Sequence, residues 1–316
     1  MDTEEPRSVL VTGGRGFVGR AIGKLLQRHG YRVISLDLAA TAATEDMKCV
    51  QIVSNICDFQ HMEELFQREN IGAIVHLAAI LPTAAQREPS LATQVNIHGS
   101  HLLLQMAKQH GVRRFVFGSS LSVYGTCPLD QVVSEEDRAA PQDLYGAAKL
   151  YVERLGEIFR QVHRVEFISL RIGRVVGPGA RSATSGWRSE IFERLADSSE
   201  SEIAIPYSDS ERLLLVHLED VARMLLQLLQ APHTAHTVYN AACESVVVGE
   251  LKSEMERLHP RLRVKLRRED VVGNPRRVDW SRFAGEFEFA TVPIFERLRQ
   301  AAAMNTSEER ESRRGW

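Results

Sequence analysis

Short runs rich in β-branched and aromatic residues alternate with amphipathic stretches from residue 8 to about 171, and this rhythm constrains the chain more than any other feature. The runs predict strands at Val9–Thr12, Arg32–Asp37, Cys49–Val53, Ala73–Leu77, Arg114–Gly118 and Glu166–Arg171. Helical patterns fall between them, near 17–29, 60–69, 91–110 and 144–163. Apolar strands joined through helices require right-handed βαβ crossovers and a parallel sheet covered on both faces. The expected fold class is therefore α/β, with a doubly wound parallel sheet.

The first strand runs directly into the glycine-rich stretch TGGRGFVG (12–19) and then into an apolar-periodic helix. Gly13, Gly16 and Gly19 permit a tight strand-to-helix turn and close approach of backbone N–H groups to a pyrophosphate at the positive helix end. Arg15, Phe17 and Val18 belong to the same loop. In its strand–loop–helix context the spacing reads as a Rossmann-like dinucleotide site. Asp37 closes the second strand, where a carboxylate can accept hydrogen bonds from both adenosine ribose hydroxyls and repel a 2′-phosphate. Arg15 pulls toward that phosphate, but a carboxylate held against it at close range should dominate. The expected cofactor is NAD.

After Arg171 the rhythm loosens. The segment from Gly173 to Gly186 is loop-like and rich in Gly and Ser. A helix (Trp187–Ala196), a strand (Arg212–His217) and a helix (Glu219–Leu229) follow, then a strand, helix and strand at about 237–241, 248–258 and 262–266 and a loose remainder. This divides the chain into a nucleotide-binding domain over 1–172, to which 212–241 returns, and a smaller substrate-binding region formed by 173–211 and 242–304. The charged tail 305–316 is expected to be disordered.

The fifth strand ends in SSLSVYG (119–125), at the carboxyl edge that faces the ligand crevice of an open α/β sheet. Twenty-one residues beyond Tyr124, the stretch YGAAK (145–149) opens a helix with Tyr145 and Lys149 one turn apart, hence on one face. Further markers are Asp58 in Cys57-Asp58-Phe59, VHLAA (75–79), Val95-Asn96, LRIGRVVGPG (170–179) and VHLEDVA (216–222). Together and in this order they make the chain resemble an extended short-chain dehydrogenase/reductase of the NAD-dependent epimerase/dehydratase family, to about residue 300.

That resemblance implies a proton relay. Tyr145 would be the general acid or base, Lys149 would stabilise its phenolate and hold the nicotinamide ribose, and Ser120 would hydrogen-bond the reacting oxygen. A free phenol has a pKa of about 10, so it needs such help at neutral pH. Asp58 would contact the adenine edge, and Leu77, Ala78 and Ala79 would pass the cofactor phosphates. Asn96 would organise the helix beside the site or cap a backbone group there. Family dehydratases carry Asp-Glu where this chain has Leu121-Ser122, which sets dehydration aside. The epimerases usually carry Asn where Arg174 stands, which favours a small anionic substrate, a sugar acid or phosphorylated polyol, over a UDP-sugar. Ser120, Ser122, Arg174, Arg181 and Arg188 are the expected substrate residues, with Trp187 beside them.

Two chemistries stay open: oxidation of a secondary hydroxyl on a sugar, sugar acid or related polyol with NADH released, and sugar-nucleotide epimerisation with the cofactor retained. A non-catalytic NAD-binding sensor is a third reading, disfavoured by the intact Ser120, Tyr145 and Lys149 set. Thirty-nine basic against 41 acidic residues give no global attraction to nucleic acid or anionic membrane. No apolar run is long enough to span a bilayer. Four scattered cysteines without C-x-x-C spacing suit a reducing cytoplasm and provide no metal site or disulfide framework. Family members often dimerise through the two helices nearest the site. In this chain those carry Leu102, Leu103 and Met106, and Leu150, Leu155 and Ile158, so a homodimer is expected.

Overall fold

The computed structural model describes residues 8–39, 49–179, 185–197 and 200–303. Its strands, in chain order, are β1 (Ser8–Thr12), β2 (Val33–Asp37), β3 (Val50–Val53), β4 (Ile71–His76), β5 (Arg114–Ser120), β6 (Glu166–Ile172), β7 (Arg174–Val176), β8 (Ser201–Tyr207), β9 (Arg212–His217), β10 (Val238–Asn240), β11 (Glu244–Val247) and β12 (Leu262–Glu269). Seven of them form a parallel sheet in the order β10-β6-β5-β4-β1-β2-β3. The expected doubly wound parallel sheet is thus present, extended by β10. Burial follows position in the sheet. Every residue of β1 and β5 is buried, because helices cover both of their faces, while the edge strand β3 alternates half-buried and exposed.

The pleat divides the core. Val9, Val11 and Val116 point to a cluster completed by the helices Phe17–Arg28 and Leu218–Gln230. Leu10, Phe115 and Phe117 point to a second cluster beneath the helices Ser100–Gln109 and Leu144–His163. A third cluster, with Val176, Trp187, Phe192, Ile203, Leu213 and Val264 among its members, fills the smaller region.

Several sequence-based expectations change. The helix expected over 91–110 is three pieces: Pro89–Thr93, a π-helical turn at Gln94–Gly99, and Ser100–Gln109. The loop-like stretch after Gly173 contains β7, which pairs in parallel with β9. The strand β8 pairs with β12, and β11 pairs antiparallel with β9. Within 212–241, the helix Leu218–Gln230 and β10 join the large sheet and its covering layer, whereas β9 lies in the separate three-stranded sheet β11-β9-β7. The remainder after β12 is not loose. It holds the helices Ser281–Phe287 and Ile294–Ala303, the latter docked by buried Ile294 and Leu298 and by Arg297 bonding Asp220 at 3.2 Å. The charged tail 305–316 lies outside the described residues.

The apolar residues named for a dimer face are mostly taken up by the cores. Leu103 and Met106 are buried, and Leu102, Leu150 and Leu155 pack against the two cores. Of the six residues named, Ile158 is the exposed one, and it lies with exposed Tyr151 and Val162 along the outer face of the helix Leu144–His163. Spacings of seven and four residues put those three on one face.

Candidate active site

The strand order reverses between β1 and β4, and in open α/β sheets the ligand crevice forms at the carboxyl ends beside such a reversal. A cavity of about 1540 Å³ opens there and reaches from the glycine turn to the loop around Asn274. The turn is closed backbone to backbone. Gly13 has φ +66°, and a Cβ on it would stand 2.8 Å from Ala78 N; a Cβ on Gly19 would stand 2.1 Å from Gly13 O. The helix Phe17–Arg28 starts there with no side-chain cap and no acidic residue in its first turn, so its leading N–H groups remain available to an anion. A dinucleotide pyrophosphate fits that cradle. Arg20 ties the turn to the far side of the cavity, donating to Arg15 O at 2.8 Å and to Gly179 O at 2.6 Å.

Gly13, Arg15, Gly16, Phe17, Val18, Gly19, Asp37, Leu77, Ala78 and Ala79 all line this cavity. Asp37 Oδ2 accepts from Arg15 N at 3.0 Å and Oδ1 accepts from Leu38 N at 2.8 Å. The Arg15 guanidinium turns to Gln51 Oε1, at 2.6 Å. Asp58 does not reach the cavity: it caps the helix Phe59–Arg68, accepting from His61 N at 3.1 Å, and the wall is made instead by Ser54, Asn55 and Ile56. Those hydrogen bonds, led by the His61 N–H, hold its carboxyl below the usual range. Asn96 is also off the cavity. From the π-helical turn it grips one backbone unit, accepting from Ile80 N at 2.7 Å and donating to Ile80 O at 2.9 Å, and so fixes the Leu77–Ile80 loop.

His76, concealed in the VHLAA run, completes that support. It bridges Thr12 Oγ1 at 2.6 Å and Ser100 Oγ at 2.8 Å. Burial, with Lys149 nearby, drives its pKa down to about 3, so it stays neutral.

Ser120, Tyr145 and Lys149 all line this cavity. Asp143 caps the Tyr145 helix through a 2.6 Å bond from Gly146 N. Lys149, fully enclosed, donates to Gly118 O at 2.7 Å, and its ammonium lies 5.5 Å from the centre of the Tyr145 ring. Burial pushes the phenol up to about 12, and Asp143 adds to that, against a hydrogen bond from Ser120 and the charge of Arg188. Burial lowers the Lys149 ammonium to about 7, against the charge of Glu153. A phenol poised beside a hydroxyl and a titratable ammonium is equipped to pass a proton. Ser122 Oγ donates to Asn274 Oδ1 at 3.3 Å, which brings a loop after β12 to the same place.

Arg174 and Arg188 line the cavity together with Tyr207. Arg174 is buried, with its guanidinium 5.4 Å from the Tyr207 ring, and neither arginine has a carboxylate partner among the described residues. The Nε of Arg188 is buried without any hydrogen-bond partner among them. Burial first, and then the Arg174 charge, push Arg188 down to about 10. Two cavity-lining cations with no carboxylate partner among the described residues favour an incoming anion. Trp187 lies edge-on to Tyr207, and Arg181 lies outside the described residues.

The profile of the NAD dependent epimerase/dehydratase family matches residues 9–242. The chain belongs to this family. It is similar to L-threonine 3-dehydrogenase of Sus scrofa, 25% identical over 269 residues, covering 83% of this chain and 71% of that protein. It is also similar to D-erythronate dehydrogenase of Haemophilus influenzae, 27% identical over 261 residues, covering 78% and 81%. In fold it is similar to UDP-glucose 4-epimerase of Thermus thermophilus in complex with NAD, with TM-score 0.80 and 23% identity, covering 95% and 99%. The cofactor is NAD, as in the description of the family, and the relatives are named as dehydrogenases and an epimerase, so the chain is read as an enzyme and not as a sensor. Among the described residues no helix is long and apolar enough to cross a membrane.

If Asp37 holds the adenosine ribose, Asp37→Ala should weaken NAD by about ten- to a hundred-fold and narrow its advantage over NADP. Calorimetric titration with both dinucleotides checks this; an unchanged preference would remove Asp37 from the role.

Proposed function

We propose that the protein oxidises the secondary hydroxyl of a small hydroxy acid, such as a sugar acid, and releases NADH. The observation that carries this reading is the pair Arg174 and Arg188, enclosed in the cavity without a carboxylate partner among the described residues. A carboxylate or phosphate on the substrate would supply the missing charge. Erythronate and threonine, named in two relatives, are both hydroxy acids.

When bound, NAD supplies the hydride acceptor and, in its oxidised ring, a positive charge. The residues of this chain do the rest. Ser120 would hydrogen-bond the reacting oxygen, Tyr145 would take its proton, and Lys149 would favour the phenolate. With Tyr145 near 12 in the free protein, added positive charge beside the ring is needed before it can act as a base. Arg174 and Arg188 would set which hydroxyl is presented, by holding the acid group.

Epimerisation of a nucleotide sugar is the second reading, and the cavity volume of about 1540 Å³ favours it. The loop holding Val272, Gly273 and Asn274 lines that volume, so the smaller region contributes wall to a space large enough for a larger ligand. The uncompensated arginine pair weighs toward the small acid. Arg174→Ala should raise KM for the hydroxy acid that yields NADH by about ten- to a hundred-fold and leave NAD affinity near native. An unchanged KM, measured by initial rates, would contradict the role.

We also propose a homodimer in the cytoplasm. The support is the exposed stripe Tyr151, Ile158 and Val162 and four cysteines that are all free thiols. Light scattering at micromolar concentration should give twice the mass of the 35.5 kDa chain, and Ile158→Glu should reduce it to one; a monomer mass for the native protein would remove the idea.

A further inference from the structure

The Tyr145 helix presents a third polar side chain to β5, one turn beyond Lys149. Residues 145, 149 and 153 follow at intervals of four, which keeps them on one face. The strand meets each of them. Ser120 lines the cavity with Tyr145, the Gly118 carbonyl accepts from Lys149, and Ser119 Oγ donates to Glu153 Oε1 at 2.5 Å. Arg171 on β6 closes on the same carboxylate as a fork, with Nε at 3.0 Å from Oε1 and Nη2 at 2.7 Å from Oε2. Its Nη1 donates to Tyr124 OH at 2.8 Å, and that hydroxyl donates to Asn240 Oδ1 at 2.8 Å. Ser119, Glu153, Arg171, Tyr124 and Asn240 are all buried. Stability alone is a poor reason for such a network, since packed apolar residues can often replace a buried ion pair without loss.

We propose that Glu153 is a positioning residue for the Tyr145–Lys149 pair: fixed by Arg171 and Ser119, its carboxylate keeps Lys149 in the ammonium form at the Gly118 carbonyl. This rests on reading Tyr145 and Lys149 as the proton relay.

The surroundings of Lys149 contain little else that does so. On β4, His76 is neutral. On β5, the Phe117 ring lies 4.5 Å from the ammonium and the Gly118 carbonyl accepts its hydrogen bond. On β6, Arg171 is a cation already forked onto Glu153. On its own helix, Tyr145 is an un-ionised phenol, which feels the charges of Asp143 at the helix cap and of Arg188 from the helix Trp187–Glu193. The charge of Glu153 is what opposes the burial of Lys149. Because the ammonium titrates at about 7, a modest loss of that field converts it to the amine at neutral pH. The sign is fixed: removing the carboxylate charge lowers the midpoint further.

The test follows the side-chain titration of carbon-13-labelled lysines in the full chain by NMR, with Lys149 assigned by the signal lost in Lys149→Met. Glu153→Gln should lower the Lys149 midpoint by about one unit or more, a tenfold change in its proton equilibrium. Glu153→Asp, which keeps the charge, should hold the midpoint much nearer the native value. Since Glu153→Gln strands Arg171, the same change is also made together with Arg171→Met, and the same downward shift is expected. An unmoved midpoint in whichever of these two folds would overturn the proposal, as would an equal shift in Glu153→Asp. Turnover of Tyr145→Phe is read separately. Retention of more than about a tenth of the native rate would defeat the relay reading, while the lysine titration would still report on Glu153.

Discussion

Everything at the centre of the site depends on how closely the Tyr145 helix lies on β5 and β6. Gly156 makes that contact possible: a Cβ there would stand 2.4 Å from ring carbons of Phe167, itself stacked on Phe115 at 5.7 Å. Any larger side chain would lift the helix or displace a packed aromatic, and cores resist both. With the helix seated, Tyr145 and Lys149 have little choice of position. Their electrostatics follow from the same seating, because a dry helix–sheet interface penalises the phenolate and the ammonium alike. A relay built there needs compensating charge from outside the pair. Glu153 is suited to provide it from one side, and a cationic nicotinamide ring from the other.

The second half of the site is built differently. Its core is a separate cluster, and it meets the large sheet at Gly173, where β6 passes directly into β7. Arg174 is the first residue beyond that junction, so its guanidinium is carried by a strand and not by a mobile loop. Arg188 comes from the start of a helix in the same region. Two cations on rigid elements repel each other in the free protein, and that tension is what an anionic substrate would relieve. The Arg20 tie to Gly179 O joins the cofactor turn to this region, so the two halves share a strut as well as a cavity.

The parts of this architecture that could be read from sequence are those set by local geometry. Period and turn chemistry gave the six leading strands, the glycine turn, Asp37 at a strand end, and Tyr145 four residues before Lys149. Asp58 was legible too, but as something else: an Asp directly before a helical run signals an N-cap, and that is what it does. The rest depends on partners distant in sequence. Glu153 meets Arg171 across 18 positions and Ser122 meets Asn274 across 152, which no spacing rule anticipates. The short strands β7 and β11 are concealed because three or four residues carry too little periodicity, and β8 because Pro206 interrupts a short run that opens on polar residues. Which apolar residues of the two helices stay exposed is not legible in sequence, because helix phase decides exposure and is fixed only by the sheet beneath.

The reaction itself is tested most directly by the absorbance of NADH when the protein is incubated with NAD and a panel containing D-erythronate, L-threonine, other small hydroxy acids and UDP-glucose. The arrangement of Tyr145, Lys149, Arg174 and Arg188 predicts net NADH from a hydroxy acid and none from UDP-glucose. Conversion of UDP-glucose to its 4-epimer without net NADH, and no response to any acid, would contradict it.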